Sequence, residues 1–135
     1  MADLTQTAAN VNGHVGFKTS NIVYGETVVA GNAVYKKATD SKYWKAINSA
    51  AADATAVGIA LTGGAADEPG VIQISGPVDL GATLTIGEQY YVSNTAGAIA
   101  PAADIGTGEF PFLLGIASAA DKLEIKLFGT GVAHA

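Results

Sequence analysis

Cysteine and arginine are both missing from this 135-residue chain, and only two histidines occur, His14 and His134. Without cysteine there are no disulfides and no thiolate metal sites, so stability rests on packing and association. Arginine is the side chain best shaped for bidentate contacts to phosphates and base edges. Its absence, with a net charge of −5, argues against nucleic-acid binding through a basic face. No stretch reaches the roughly 18 unbroken apolar residues of a membrane-spanning helix, so no membrane span is expected. The opening Met1-Ala2-Asp3-Leu4-Thr5-Gln6 has neither a basic start nor an apolar centre, so cytosolic synthesis without Sec-type export is expected. Aromatic residues make up 7% and charged residues 14%. The rest is dominated by Ala, Gly, Thr and Val, which build a thin core that gains from burying further surface against partners.

What the chain does contain is the same text written twice. Gly25-Glu26-Thr27-Val28-Val29-Ala30-Gly31-Asn32-Ala33-Val34-Tyr35 returns as Gly81-Ala82-Thr83-Leu84-Thr85-Ile86-Gly87-Glu88-Gln89-Tyr90-Tyr91, at an offset of 56 (25 to 81). Val57-Gly58-Ile59-Ala60 returns as Leu114-Gly115-Ile116-Ala117 at an offset of 57 (57 to 114). Val71–Ile74 is echoed by Leu123–Leu127. Matched blocks in one order indicate internal duplication. The expected organisation is an extended N-terminal arm over 1–24 and a duplicated β domain over 25–135, with copy one at 25–80 and copy two at 81–135. The two copies are expected to pack about a pseudo-twofold axis, each covering the other's apolar face.

Local signals are of β type. Thr27–Ala30 and Ala33–Lys37 are short β-branched or aromatic runs split by Gly31-Asn32, which suits a tight turn. Further strands are expected at Tyr43–Ile47, Ala56–Leu61, Val71–Ser75, Tyr90–Ser93, Ala98–Ala100, Phe112–Ala117 and Lys122–Phe128. Two more are expected before the repeat, at His14–Lys18 and Asn21–Tyr24. The Ala-rich stretch Ser49–Thr55 could form one helical turn. Short strands at 8–12-residue spacing with Gly-rich turns predict an all-β fold, a compact sandwich or barrel of two small lobes.

No set of residues points to catalysis. Neither histidine has a Ser, Asp or Glu at a spacing that forms a nucleophile–base arrangement. Asp67-Glu68 lacks the alternating carboxylates of a calcium loop. The spaced glycines lack the Lys-Ser/Thr of a phosphate loop. Neither catalytic residue, metal ligand nor cofactor site is therefore expected. The distinctive local feature is Lys36, Lys37, Lys42 and Lys45 interleaved with Tyr43 and Trp44. Lys42, Tyr43, Trp44 and Lys45 could form a partner-facing patch anchored by the indole. The plainer alternative is a hairpin with solvated lysines whose Trp44 caps the core. The second copy has no such lysines. Within the arm, Leu4, Thr5, Val11, His14 and Phe17 are the candidate contacts to a neighbouring subunit, because the segment is small, polar and aperiodic.

The run Val28–Tyr35, then Ala56-Val-Gly-Ile-Ala-Leu61, Gly64–Val71, Thr85-Ile-Gly-Glu-x-Tyr-Tyr-Val92 and Leu114-Gly-Ile-Ala117 resembles the capsid cement, or head decoration, proteins of tailed bacteriophages. The likeness spans about residues 25–130. It implies a non-enzymatic protein on the outer surface of the virion, assembled in the host cytoplasm, that bridges major capsid protein subunits, commonly as a homotrimer. A different class, a receptor- or glycan-binding module of a tail fibre or adhesin, would need an exposed aromatic groove.

Overall fold

Gly76 and Pro77 are residues that ordinarily interrupt a strand, yet here they sit in the middle of the longest one. The computed structural model describes residues 3, 4, 6, 11–13 and 18–134. Its strands, among those residues, are β1 (Val11–Gly13), β2 (Lys18–Val23), β3 (Ala33–Lys36), β4 (Tyr43–Lys45), β5 (Gly58–Ala60), β6 (Pro69–Leu80), β7 (Gln89–Val92), β8 (Ile99–Pro101), β9 (Phe112–Ala119) and β10 (Lys122–Gly129). One helical turn, Ala51–Ala54, and one 3-10 turn, Ala102–Asp104, complete the set. The fold is all-β, an antiparallel sheet curled into a half-barrel.

β6 belongs to two sheets. Its first part, Pro69–Ser75, pairs with β2 and β5. Its second part, Gly76–Leu80, pairs with β10 and β1. Gly76 has φ +85°, a conformation that glycine adopts without a Cβ penalty, and the strand turns there from one sheet into the other. The bend is held from inside by Gln73, whose side chain is fully buried. Its Nε2 donates to the Ser75 carbonyl at 3.0 Å and to the Pro77 carbonyl at 2.8 Å. The carbonyls on either side of the bend are thereby tied to one side chain.

Outward from β6, both sheets follow the same plan. The order β4-β3-β5-β6 on one side is answered by β8-β7-β9-β10 on the other. Register agrees residue for residue. Val34, Tyr35 and Lys36 lie opposite Lys45, Trp44 and Tyr43, while Tyr90, Tyr91 and Val92 lie opposite Pro101, Ala100 and Ile99. Each member is displaced by 56. Ser41 and Gly97 take the left-handed conformation in the two hairpins. Gly58 and Gly115 likewise share a role. A Cβ at Gly58 would stand 2.6 Å from the Gln73 carbonyl oxygen, and one at Gly115 would run into the Glu124 carbonyl. The hydrogen-bond ladder divides the chain at Gly76 rather than at residue 80, and β2, which lies in the expected arm, is a full member of the first sheet.

The core shows that the halves do not pack reciprocally about a twofold axis, as the repeat alone suggests. A small cluster, Ile22, Tyr24, Val28, Val34, Ala60 and Ile72, lies within the first half. The large cluster joins Ala33, Tyr35, Ala46, Ala54, Ala56 and Ile59 of the first half to Val78, Leu80, Tyr90, Val92, Ile99, Leu114 and Leu123 around the second sheet. Among the described residues, the first half therefore buries both faces and the second half only one. The cause is β6: sharing one strand end to end sets the sheets in succession, so the outer face of one covers the inner face of the next. Backbone bonds sew this junction: Ala33 N–H to Gly97 O (3.0 Å), Gly97 N–H to Ala46 O (2.8 Å) and Asn48 N–H to Ser93 O (3.1 Å).

Two local expectations change. Thr27–Ala30 is not a strand. Asn32 Oδ1 accepts the Val29 N–H at 2.9 Å, and Gly31 has φ +95°, so the segment closes into a turn in which Val28 makes only an isolated bridge to Gly64. β6 runs past Ser75 to Leu80 for the reason given above. Of the His14–Lys18 strand, residues 14–17 lie outside the described residues. Replacing Gln73 by Leu removes both hydrogen bonds that hold the bend at the Ser75 and Pro77 carbonyls. It should cost about 1–3 kcal/mol, read as a lowered urea midpoint with unchanged m-value, whereas Ile86→Ala at an exposed turn should change stability by less than about 0.5 kcal/mol.

Candidate interaction surface

The lysine–aromatic cluster is the β3–β4 hairpin, and most of it is tied to its own chain. The Trp44 ring lies against Gly25, where any Cβ would collide with the indole. It also packs against the large core. Trp44 Nε1 donates to Asp40 at 3.1 Å, and Lys37 Nζ stands 4.1 Å above the ring. Lys42 is paired with Asp67. Lys45 donates its backbone N–H to Glu26 at 2.9 Å, with its Nζ 3.9 Å from the same carboxylate. Tyr43 packs against the small core. Hydrogen bonds from the Lys42 backbone N–H, and then from Trp44, hold the Asp40 carboxyl below its ordinary range. The bond to Asp67 raises Lys42. Lys36, on the same strand, points into solvent.

The candidate arm residues have separate fates. Leu4 and Val11 are half-buried against the chain's own large core. Leu4 N–H bonds Ile99 O at 3.0 Å, Asp3 accepts from Ser93 Oγ at 2.7 Å, and Gln6 Nε2 donates to Gly31 O at 3.0 Å. The described part of the arm thus returns onto its own sheet. Thr5, His14 and Phe17 lie outside the described residues. His134 is held at the C-terminal end, where its backbone N–H bonds Glu109 O at 2.7 Å and its carbonyl accepts from Gly108 at 2.8 Å.

The surface that sequence reasoning missed is the outer face of the second sheet. Tyr91, Pro111, Leu113 and Phe128 with Gln89 line a groove of about 300 Å³. It continues past Tyr91 and Pro111 into a second hollow of about 290 Å³ bounded by Ile105 and His134. Phe128 is 66% exposed and Ile116 36%. A signal was available: Tyr90-Tyr91 and Phe112-Leu113-Leu114 put apolar side chains at consecutive strand positions, so both faces of the strand are apolar and one of them must find cover elsewhere. Among the described residues, no group of three or more His, Asp or Glu side chains could hold a metal ion. Comparison with known protein families, with curated proteins and with solved structures finds no match for this chain.

Two expectations attach to the hairpin. Trp44→Ala strips the cover from Gly25 and the edge of the core, and should lower the stability of the free protein by about 1–3 kcal/mol in a urea titration. The second concerns Tyr35. Burial, then the charge of Asp53 and the hydrogen bond to it, push the Tyr35 hydroxyl up to about 12, and burial also raises Tyr24 against the smaller lowering effect of its bond to Thr62. The folded pKa lies above the unfolded value of about 10, so the stabilisation is complete below pH 10 and is lost as pH rises towards 12. Unfolding monitored by circular dichroism should follow this window, and Tyr35→Phe should flatten the pH dependence there.

Proposed function

We propose that this protein is a non-enzymatic structural component of a tailed-bacteriophage virion. It binds the outer surface of the capsid as a homotrimer and staples neighbouring major capsid protein subunits. The observation that carries the reading is the apolar outer face of the second sheet. A thin core built largely from Ala, Val and Ile leaves stability to be gained by association, and a face bearing Tyr91, Leu113, Ile116 and Phe128 supplies the area that association needs. The resemblance of residues 25–130 to capsid cement proteins names the shell as partner. Neither nucleic acid nor membrane is part of this reading.

One observation favours a second reading. Tyr91 and Phe128 flank a groove that also presents Gln89, which is the kind of aromatic, polar-edged site that a glycan-binding module uses. Shells prepared without the protein separate the two. They should rupture at lower temperature than decorated shells, and adding the protein back should restore their resistance. Equal robustness with and without it, together with retention of a sugar on a glycan array, would favour the glycan module.

A further inference from the structure

Three polar side chains of the first half converge where its β3–β4 hairpin meets the second half. Lys45 stands opposite Val34 in the ladder. Asn32, two residues before Val34, is its diagonal neighbour on the same face, within reach of a long side chain. A Cβ at Gly97 would lie 2.9 Å from Asn32 Cγ and 3.0 Å from Lys45 Cδ, so both side chains close on one spot beneath the β7–β8 hairpin. Glu26 completes the group. One of its carboxylate oxygens accepts the Lys45 backbone N–H at 2.9 Å, and the other stands 3.9 Å from Lys45 Nζ. The two ends of the Asn32 amide are held unequally. Its Oδ1 accepts the Val29 N–H at 2.9 Å, while its Nδ2 makes a long contact of 3.4 Å with Gly97 O. At the repeat offset of 56 (26 to 82, 32 to 88, 45 to 101) the second copy has Ala82, Glu88 and Pro101. The trio is therefore no requirement of the repeated fold: it is present together in one copy and absent together from the other.

We propose that Lys45, Asn32 and Glu26 form a self-cross-linking site, which joins the Lys45 and Asn32 side chains through an isopeptide bond. An amine, a carboxamide and a carboxylate are the groups that this transamidation needs. A small rotation of the Lys45 stem brings Nζ onto the Glu26 carboxylate, which takes a proton from the ammonium. The freed amine attacks Asn32 Cγ. Negative charge develops on Oδ1, where the Val29 N–H already points. The Nζ–Cγ bond forms and the Cγ–Nδ2 bond breaks. Nζ sheds two protons in all, both passed through Glu26 to Nδ2, which leaves as ammonium. Neither oxidant nor cofactor enters. The fold supplies proximity, because the two reacting side chains are fixed by one ladder and one turn. The β7–β8 hairpin over Gly97 screens Asn32 from water, the competing nucleophile. The product is a mechanical fastening. β4 ends the order of strands in its sheet, and the link ties that edge to the turn preceding β3.

The site owes nothing to the capsid reading and is tested on the isolated chain, without shells, so either can fail alone. After prolonged incubation at neutral pH, intact-mass spectrometry should find the wild-type chain lighter than its sequence by one ammonia. Tryptic digestion should leave the peptide carrying Asn32 joined to the one carrying Lys45. Lys45→Arg keeps the positive charge and removes the amine. Glu26→Gln keeps an acceptor for the Lys45 backbone N–H and removes the base. Both should retain their full sequence mass, with the fold confirmed by circular dichroism, and Lys45→Gln replaces Lys45→Arg if the latter does not fold. A wild-type chain at its full sequence mass overturns the proposal. So does a loss of ammonia that persists without Lys45, because an asparagine closing on its own backbone gives the same mass. Hydrolysis of Asn32 to aspartate in place of the link overturns it as well.

Discussion

The bend in β6 is the constraint on which the rest of the architecture depends. A strand that serves two sheets must turn without leaving buried carbonyls unpaired. Gly76 supplies the backbone conformation and the Gln73 amide supplies the donors. Had Pro69–Leu80 stayed straight, β2 and β5 would lie in one plane with β10 and β1, and the sheet could not curl. The whole large core, from Ala33 and Tyr35 to Leu114 and Leu123, exists because the strand turns at that point. Both amide hydrogens of this buried side chain are used, which offsets part of the cost of burying it, while its Oε1 has no hydrogen-bond partner among the described residues.

The same bend decides which faces are covered. Sheets arranged in succession along one strand cover one another unequally. The first half receives Ile22, Tyr24 and Val28 on one side and the second sheet on the other. Among the described residues, none plays that part for the outer face of β7, β9 and β10. Close packing at the remaining contacts depends on small residues: Gly58 and Gly115 admit neighbouring carbonyls, and Gly25 admits the Trp44 ring. The abundance of glycine and alanine is therefore a condition of tight strand approach as much as a shortage of core bulk.

Much of the fold was legible because strands and turns are written locally. Ala33–Tyr35, Tyr43–Lys45, Gln89–Val92 and Ile99–Pro101 follow directly from β-branched and aromatic residues between turn formers, and the offset of 56 recurs as identical hairpin register. Thr27–Ala30 reads as a strand by composition, but the Asn32 side chain competes for the Val29 N–H and turns the chain instead. The lysine–aromatic cluster stood out in sequence. Its pairing with Asp40, Asp67, Glu26 and Gly25 did not, since those partners lie 4 to 25 residues away. The Tyr91–Leu113–Phe128 groove joins three strands across 37 residues (91 to 128), and only the sheet brings them together.

By itself, the sequence determined the all-β character, the repeat and the places where turns fall, because alternation, β-branching and glycine act over a few residues. It also determined the chemistry available: neither thiol nor guanidinium, and lysines gathered in one hairpin. Tertiary structure alone decided that Gly76 and Pro77 bend a strand rather than end one. It also decided that the two halves pack in succession, and that no described residue covers the outer face of the second sheet. Those outcomes depend on which carbonyls are buried and which faces meet, quantities that arise only when segments far apart in the chain share one core.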